Sequence, residues 1–156
     1  MGFTSFSGRV LFSSIFILAA WQQINDFDHD GGNFLKELEP KFSIFKQHVA
    51  SNLGFEIPNF ELKYLLVAAI ALEGIGAILF TFGSTLGAYI LLLFLTAVTP
   101  IMHDFYNFDL SSPEYSNEFL LFLKNLSLVG SLLYYVGMKN SYALKLKRRQ
   151  GKLKAN

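Results

Sequence analysis

Four long blocks of apolar residues constrain this chain more than any other feature of its sequence. They cover about residues 6–24, 62–82, 86–104 and 119–138. Each is close to the roughly 20 residues that a helix needs to cross the hydrocarbon core of a bilayer. The blocks are continuous, so they lack the alternation of apolar and polar residues that marks a transmembrane β-strand. We therefore predict an all-α membrane protein, a four-helix transmembrane bundle that forms one domain over residues 1–156.

The composition agrees with a bilayer environment. Hydrophobic residues make up 52% of the chain and charged residues only 16%, whereas a soluble domain carries roughly 25% charged residues. The chain has no cysteine, which excludes disulfide bonds and thiol chemistry. The sequence contains no phosphate-binding loop and no nucleic-acid motif. The partners that we expect are therefore the lipid bilayer and other membrane proteins, including further copies of this chain, and not nucleic acid.

The three connections between the blocks differ in kind. The first, over residues 22–61, mixes apolar and charged residues and predicts one or two short amphipathic helices, interrupted at Pro40, that lie on the membrane surface or cap the bundle. The second, over residues 82–85, is short enough for a tight helical hairpin. The third, over residues 106–118, contains a Ser-Ser-Pro sequence and is typical of a loop.

Basic residues are concentrated after the fourth block. The tail over residues 139–156 holds seven lysine and arginine residues and no acidic one, while the connection over residues 106–118 holds no basic residue. Cytoplasmic segments of membrane proteins carry an excess of lysine and arginine. The pattern therefore predicts a cytoplasmic tail and, with four spans, two cytoplasmic termini. A cleaved signal peptide over the first block is the alternative, and it would leave three spans and an exterior N-terminus.

Three ionisable residues fall within the apolar blocks, where a charge at the bilayer centre costs roughly 2.5–3.5 kcal/mol. Glu73 lies halfway along the second block, Arg9 near the start of the first, and Lys124 about one and a half turns into the fourth. One interpretation is a Glu–Arg or Glu–Lys pair that fixes how the helices pack. The other is a proton relay or a site for a polar headgroup. Both interpretations predict that Glu73 faces the interior of the bundle.

A polar pair follows the third block, where Pro100 is expected to kink the helix. His103 and Asp104 stand among tyrosine and phenylalanine residues at the predicted exterior interface, which is typical of interfacial anchors. A histidine beside an aspartate also suits a metal, a haem or a quinone headgroup. One histidine supplies only one ligand and no other span contains a second, so we expect no resident metal or cofactor.

The first exterior connection also matches the pattern of a calcium-binding loop. The matching acidic residues are Asp26, Asp28, Asp30 and Glu37, with a glycine at position 6 of the loop. Asn33 and Phe34 depart from the pattern, and the chain has no second loop of this kind. We therefore favour a solvated acidic turn over a calcium site.

The C-terminal tail has lysines at the third and fifth positions counted back from its end, Lys154 and Lys152. Lysines at these positions of a cytosolic tail resemble the dilysine signal that returns membrane proteins to the endoplasmic reticulum. The alternative is that they serve only as part of the basic anchor on anionic lipid.

Several ordered sequence blocks carry a family resemblance. They are the opening residues 1–12, Asp30-Gly-Gly32, Ala69-Ile-Ala-Leu-Glu-Gly74, Thr99-Pro-Ile101 and Gly137-Met-Lys-Asn-Ser141. In this order they resemble plant HR-like lesion-inducing proteins, which are similar to the broader DoxX-like group of small four-helix membrane proteins. The resemblance implies a helical bundle in a plant endomembrane and a link to hypersensitive-like cell death. It implies no catalytic residue.

Three functional hypotheses follow. The first is a non-enzymatic protein of the endoplasmic reticulum membrane that binds membrane partners or lipid and influences stress or cell-death responses. The second, by analogy with the DoxX group, is a quinone-linked redox protein that uses Glu73, His103 and Asp104 in a polar cavity between the second and third spans. The third is a small oligomeric transporter in which Glu73 and Lys124 line a path.

Overall fold

A computed structural model describes residues 2–27 and 31–154, with side chains as far as residue 151. Its elements are α1 (Phe3–Asp26), α2 (Gly32–Leu53), α3 (Leu62–Thr81), α4 (Thr85–Met102), a short 3₁₀ helix (Phe105–Asn107) and α5 (Pro113–Lys154). Helices α1, α3, α4 and α5 are long and apolar enough to cross a membrane. No strand occurs among the described residues. The prediction of an all-α membrane bundle with four spans is confirmed.

Contacts between the spans distinguish the two ends of the bundle. The start of α1 lies beside the α3–α4 hairpin, because Arg9 donates a hydrogen bond to the Thr81 carbonyl at 3.2 Å. The basic half of α5 begins there too, since the Tyr135 hydroxyl donates to the Gly83 carbonyl at 2.9 Å. We call this the tail end. The opposite end carries α2, and we call it the α2 end.

Helix α2 is a single helix of 22 residues, so the predicted interruption at Pro40 is wrong. Proline removes one hydrogen bond from a helix, but Pro40 is exposed, where water can serve the carbonyl that loses its partner. The predicted amphipathic character is present, since Leu38 and Phe42 are buried among mostly exposed polar neighbours. The Asp26 carboxylate holds the start of this helix by accepting hydrogen bonds from the backbone N–H groups of Asn33 and Phe34, at 2.8 and 3.2 Å.

The third connection also differs from the prediction of a loop over residues 106–118. Helix α5 already begins at Pro113, a residue whose fixed φ suits the first position of a helix. The Ser112 hydroxyl caps it by accepting a hydrogen bond from the Tyr115 N–H at 3.0 Å. The helix continues for 42 residues, about twice the length that a span requires, so its basic part extends beyond the membrane.

The predicted tight hairpin between α3 and α4 is present and is closed by glycine. Gly83 adopts a φ of 85°, and the Ser84 N–H bonds back to the Leu79 carbonyl at 3.0 Å, which is the usual glycine-based end of a helix. At Gly87 a Cβ atom would collide with the backbone of Phe80 and lie 2.8 Å from the Gly76 carbonyl oxygen. These glycines let α3 and α4 pack with their backbones in close approach.

The spans pack in the order α1–α3–α4–α5. Helix α3 packs against both α1 and α4, and α4 packs against α5. Over the described residues, α1 and α5 form no contact of similar extent. At the tail end the Phe80 ring lies between α1 and α5. Its centroid is 5.2 Å from that of Phe12 on α1 and 4.9 Å from that of Tyr135 on α5. Towards the α2 end this closure is lost, and a cavity lies there.

Candidate functional site

The cavity has a volume of about 320 Å³ and is lined by all five helices. This volume falls in the range of roughly 300–1,000 Å³ that is usual for small-molecule sites. Most of its lining is apolar and includes Phe16, Leu66, Leu72, Leu95, Val98 and Leu128. The polar side chains in the lining are Gln23, Glu73, His103 and Asn125. The redox hypothesis called for a polar cavity between the second and third spans, whereas the observed cavity is apolar apart from these four side chains.

Glu73 lies in the wall of the cavity and is 4% exposed. Its Oε2 atom accepts a hydrogen bond from Gln23 Nε2 at 3.0 Å. No basic side chain of the described residues pairs with it. No buried side-chain oxygen or nitrogen among those residues lacks a hydrogen-bond partner, so the second carboxyl oxygen of Glu73, which has none, must border the open cavity.

Arg9 is buried as well, at 5% exposed, but it does not reach Glu73. Its Nε donates to the Thr81 carbonyl at 3.2 Å, and its Nη1 donates to the Ser5 hydroxyl at 2.9 Å. Thr81 is eight residues from Glu73, which corresponds to about 12 Å along α3. The last carbonyls of a helix lack internal partners and carry partial negative charge, so Arg9 closes the end of α3 and does not form the expected pair with Glu73.

Lys124 is exposed on α5, so the structure does not bring it to Glu73 either. Its neighbour Asn125 faces the bundle instead, where Asn125 Nδ2 donates to the Thr99 hydroxyl at 3.3 Å. Asn125 is part of the cavity lining and Lys124 is not. In a single chain Lys124 therefore does not share the cavity with Glu73, and the path of the oligomeric transporter hypothesis stays a prediction.

His103 and Asp104 belong to a polar cluster at the α2 end. His103 Nδ1 lies 3.1 Å from Glu118 Oε2. Lys41 Nζ on α2 donates to the Met102 carbonyl at 2.7 Å and lies 3.7 Å from Glu118 Oε1 and 4.0 Å from Asp104 Oδ1. We call Lys41, His103, Asp104 and Glu118 the α2 clamp, because they fasten α2 to the end of α4 and the start of α5.

Sequence reasoning missed two members of the α2 clamp, Lys41 and Glu118. A usable signal was present in α2. Lys41 follows Leu38 by three residues and precedes Phe42, so it lies beside the apolar face that packs on the bundle. A cation at the edge of such a face requires an acidic or carbonyl partner on the surface that it meets.

Neither the solvated acidic turn that we favour nor the alternative calcium site is tested by the structure. Asp28 and Asp30 lie outside the described residues. Asp26 uses its carboxylate at the start of α2, as described above, and Glu37 is exposed. Among the described residues no group of three or more metal-binding side chains comes together.

The dilysine signal is also untested. The backbone of Lys152 and Lys154 continues α5, and their side chains lie outside the part that the structure describes.

The sequence pattern that defines HR-like lesion-inducing proteins matches residues 1–138 of the chain. The match includes α1 to α4, the membrane-spanning part of α5 and every polar residue of the cavity. No curated protein and no solved structure gives a significant match.

Proposed function

The chain belongs to the HR-like lesion-inducing family, and from that premise we propose that this membrane protein acts by holding a lipid-like molecule in the cavity between its spans. The observation that carries the proposal is the cavity itself. Its walls are apolar, and its polar side chains include the bonded pair of Gln23 and Glu73. An apolar pocket with a few placed polar groups is the usual form of a small-molecule site.

The packing of the spans supports entry from the bilayer. The cavity is lined by Ile15 and Ala19 on α1 and by Asn125 and Leu128 on α5, the two spans that lack an extensive mutual contact. Ile15 is 56% exposed. A ligand dissolved in the membrane therefore has a lateral route that crosses no water.

Within this proposal the protein resides in the endoplasmic reticulum membrane with both termini cytoplasmic, acts without catalysis on membrane partners or lipid, and influences stress or cell-death responses. The excess of basic residues in the tail supports this orientation, and the dilysine-like ending supports this location. A tagged copy in which Lys152 and Lys154 are both changed to Ser is expected to leave the endoplasmic reticulum. An unchanged location would contradict this part of the proposal.

Two alanines on α3 offer a matched test of lipid binding. Ala68 lines the cavity, whereas Ala71, three residues later, lines a separate outer groove. Both alanines are exposed. Ala68→Phe should fill the cavity and lower the amount of co-purifying lipid, measured by native mass spectrometry, at least about tenfold. Ala71→Phe should leave that amount unchanged. Equal retention of lipid by the two variants would contradict the proposal.

A quinone-linked redox role is the second candidate. The observation in its favour is that Glu73 and His103 border the same cavity, so a quinone ring there would meet both a carboxyl and an imidazole group. Protein purified from membranes should then contain extractable quinone and show a difference spectrum on reduction. Purified protein with neither property would contradict this role.

A further inference from the structure

Among the described residues, no cation pairs with the Glu73 carboxyl group, and Arg9, Lys41, Lys63 and Lys124 have other surroundings. Arg9 closes the end of α3, Lys41 holds the α2 clamp, and Lys124 is exposed. Lys63 Nζ lies over the ring of Phe27, 5.7 Å from its centroid. Burying a carboxylate without a counter-charge is costly, so a cation inside the cavity would offset a cost that the protein leaves uncompensated.

The remaining hydrogen-bonding groups beside Glu73 also suit a ligand that donates hydrogen bonds. Gln23 directs its amide nitrogen to the carboxyl group, which leaves its amide oxygen as an acceptor. The second oxygen of Glu73 borders the open cavity. An ammonium group offers three N–H donors and a positive charge, and hydrogen bonds between charged groups are about twice as strong as neutral ones.

The shape of the cavity suits a linear amphiphile. Along α1 the lining runs from Gln23 down to Ile15, a distance of about 12 Å. Gln23 lies only three residues before the end of α1 at Asp26, and Trp21 beside it is exposed, as is usual at the membrane interface. Gln23 therefore reaches Glu73 from the side of the α2 end, whereas Glu73 is the α3 lining residue farthest from that end, so apolar walls extend on both sides of the polar pair.

We propose that the cavity takes a long-chain amine, a molecule with one alkyl chain that ends in a primary ammonium group. The ammonium group pairs with Glu73 and donates to the Gln23 amide oxygen, while the alkyl chain lies against the apolar walls, which include Phe16 and Phe94. This inference rests on the proposed function and adds the chemical class of the ligand. A fatty alcohol can fill the same walls but leaves the charge of Glu73 unpaired, and a fatty acid adds a second negative charge.

The test compares three ligands of one chain length: octadecylamine, octadecanol and octadecanoic acid. Full-length protein in lipid nanodiscs is titrated with each, and occupancy is measured by native mass spectrometry. We expect the amine to bind at least about tenfold more tightly than the alcohol, the size of effect of one charge-assisted hydrogen bond, and the acid to bind least. Glu73→Gln should remove the preference for the amine over the alcohol.

One further variant and the two alanine variants make the outcomes distinct. Glu73→Asp keeps the charge and should keep the preference for the amine, which separates the charge from mere folding of the site. Equal affinities for amine and alcohol in the unmodified protein would overturn the amine inference while lipid binding stands. If no ligand binds, and Ala68→Phe behaves like Ala71→Phe, the proposed function itself fails.

Discussion

Two buried charged residues of this bundle, Arg9 and Glu73, have opposite surroundings. Arg9 at the tail end donates to a backbone carbonyl and a hydroxyl, and the hydroxyls of Ser13 and Thr81 bond to each other beside it at 2.6 Å. Glu73 accepts one hydrogen bond from Gln23 and borders a cavity. Both residues are about 5% exposed or less, so burial alone does not tell them apart.

This difference shows which of the two charges stabilises the fold. A buried charge whose hydrogen bonds are met inside the protein stabilises the packing that meets them. A buried charge that borders a cavity can still form hydrogen bonds with a ligand that enters the cavity. Arg9 is of the first kind because α3 ends beside it, and Glu73 is of the second kind because the gap between α1 and α5 lies in front of it.

The largest effect on stability should follow from Arg9→Met. This change removes the charged donor from the end of α3 and leaves the Thr81 carbonyl without its partner. Losing hydrogen bonds of a charged group costs about 2–3 kcal/mol, which we expect as a loss in the free energy of unfolding, measured by denaturant titration in detergent micelles. Arg148→Met in the exposed tail is the control and should change nothing. A loss below about 1 kcal/mol would show that the cluster around Arg9 does not support the fold.

The sequence allowed Arg9 and Glu73 to be singled out but not to be distinguished. A charge within an apolar block is visible in any sequence, and so are the four spans, since their length and hydropathy follow from the thickness of the bilayer. The partner of a charge depends on helix rotation and on the offset between spans. Gln23, an uncharged residue near the end of α1, was therefore not recognised as the partner of Glu73.

The cavity could not be predicted from the sequence either. It exists because α1 and α5 fail to close on each other at one depth, and its walls are made of residues such as Phe16 and Leu95 that look like ordinary core residues. The start of α5, by contrast, is marked in the sequence. Ser112 followed by Pro113 is a cap followed by a typical first helical residue, although a Ser-Ser-Pro sequence is also typical of a loop.

An intermediate effect is expected from Lys41→Met in the α2 clamp. The clamp is half-buried, with 22% of the Lys41 side chain exposed, so water screens it more than Arg9. We expect α2 to open more often while the spans stay folded, which should raise amide hydrogen exchange in α2 several-fold, read by mass spectrometry of its peptides. Lys36→Met on the exposed side of the same helix provides the comparison. Unchanged exchange in the Lys41 variant would mean that Leu38 and Phe42 hold α2 without the clamp.

The smallest effect on stability is expected from Glu73→Gln in the ligand-free protein, which makes it the sharpest test of the comparison. Glutamine has nearly the same volume and can still accept the hydrogen bond from Gln23, and it removes a charge that no cation of the described residues compensates. The free energy of unfolding should therefore change by less than about 1 kcal/mol and should rise if it changes, because an uncompensated buried charge is destabilising. Lys124→Gln on the exposed face of α5 should stay within about 0.5 kcal/mol and sets the baseline. If Glu73→Gln instead lowers stability as much as Arg9→Met does, Glu73 supports the fold in the same way as Arg9, and the cavity has lost its strongest argument for a ligand.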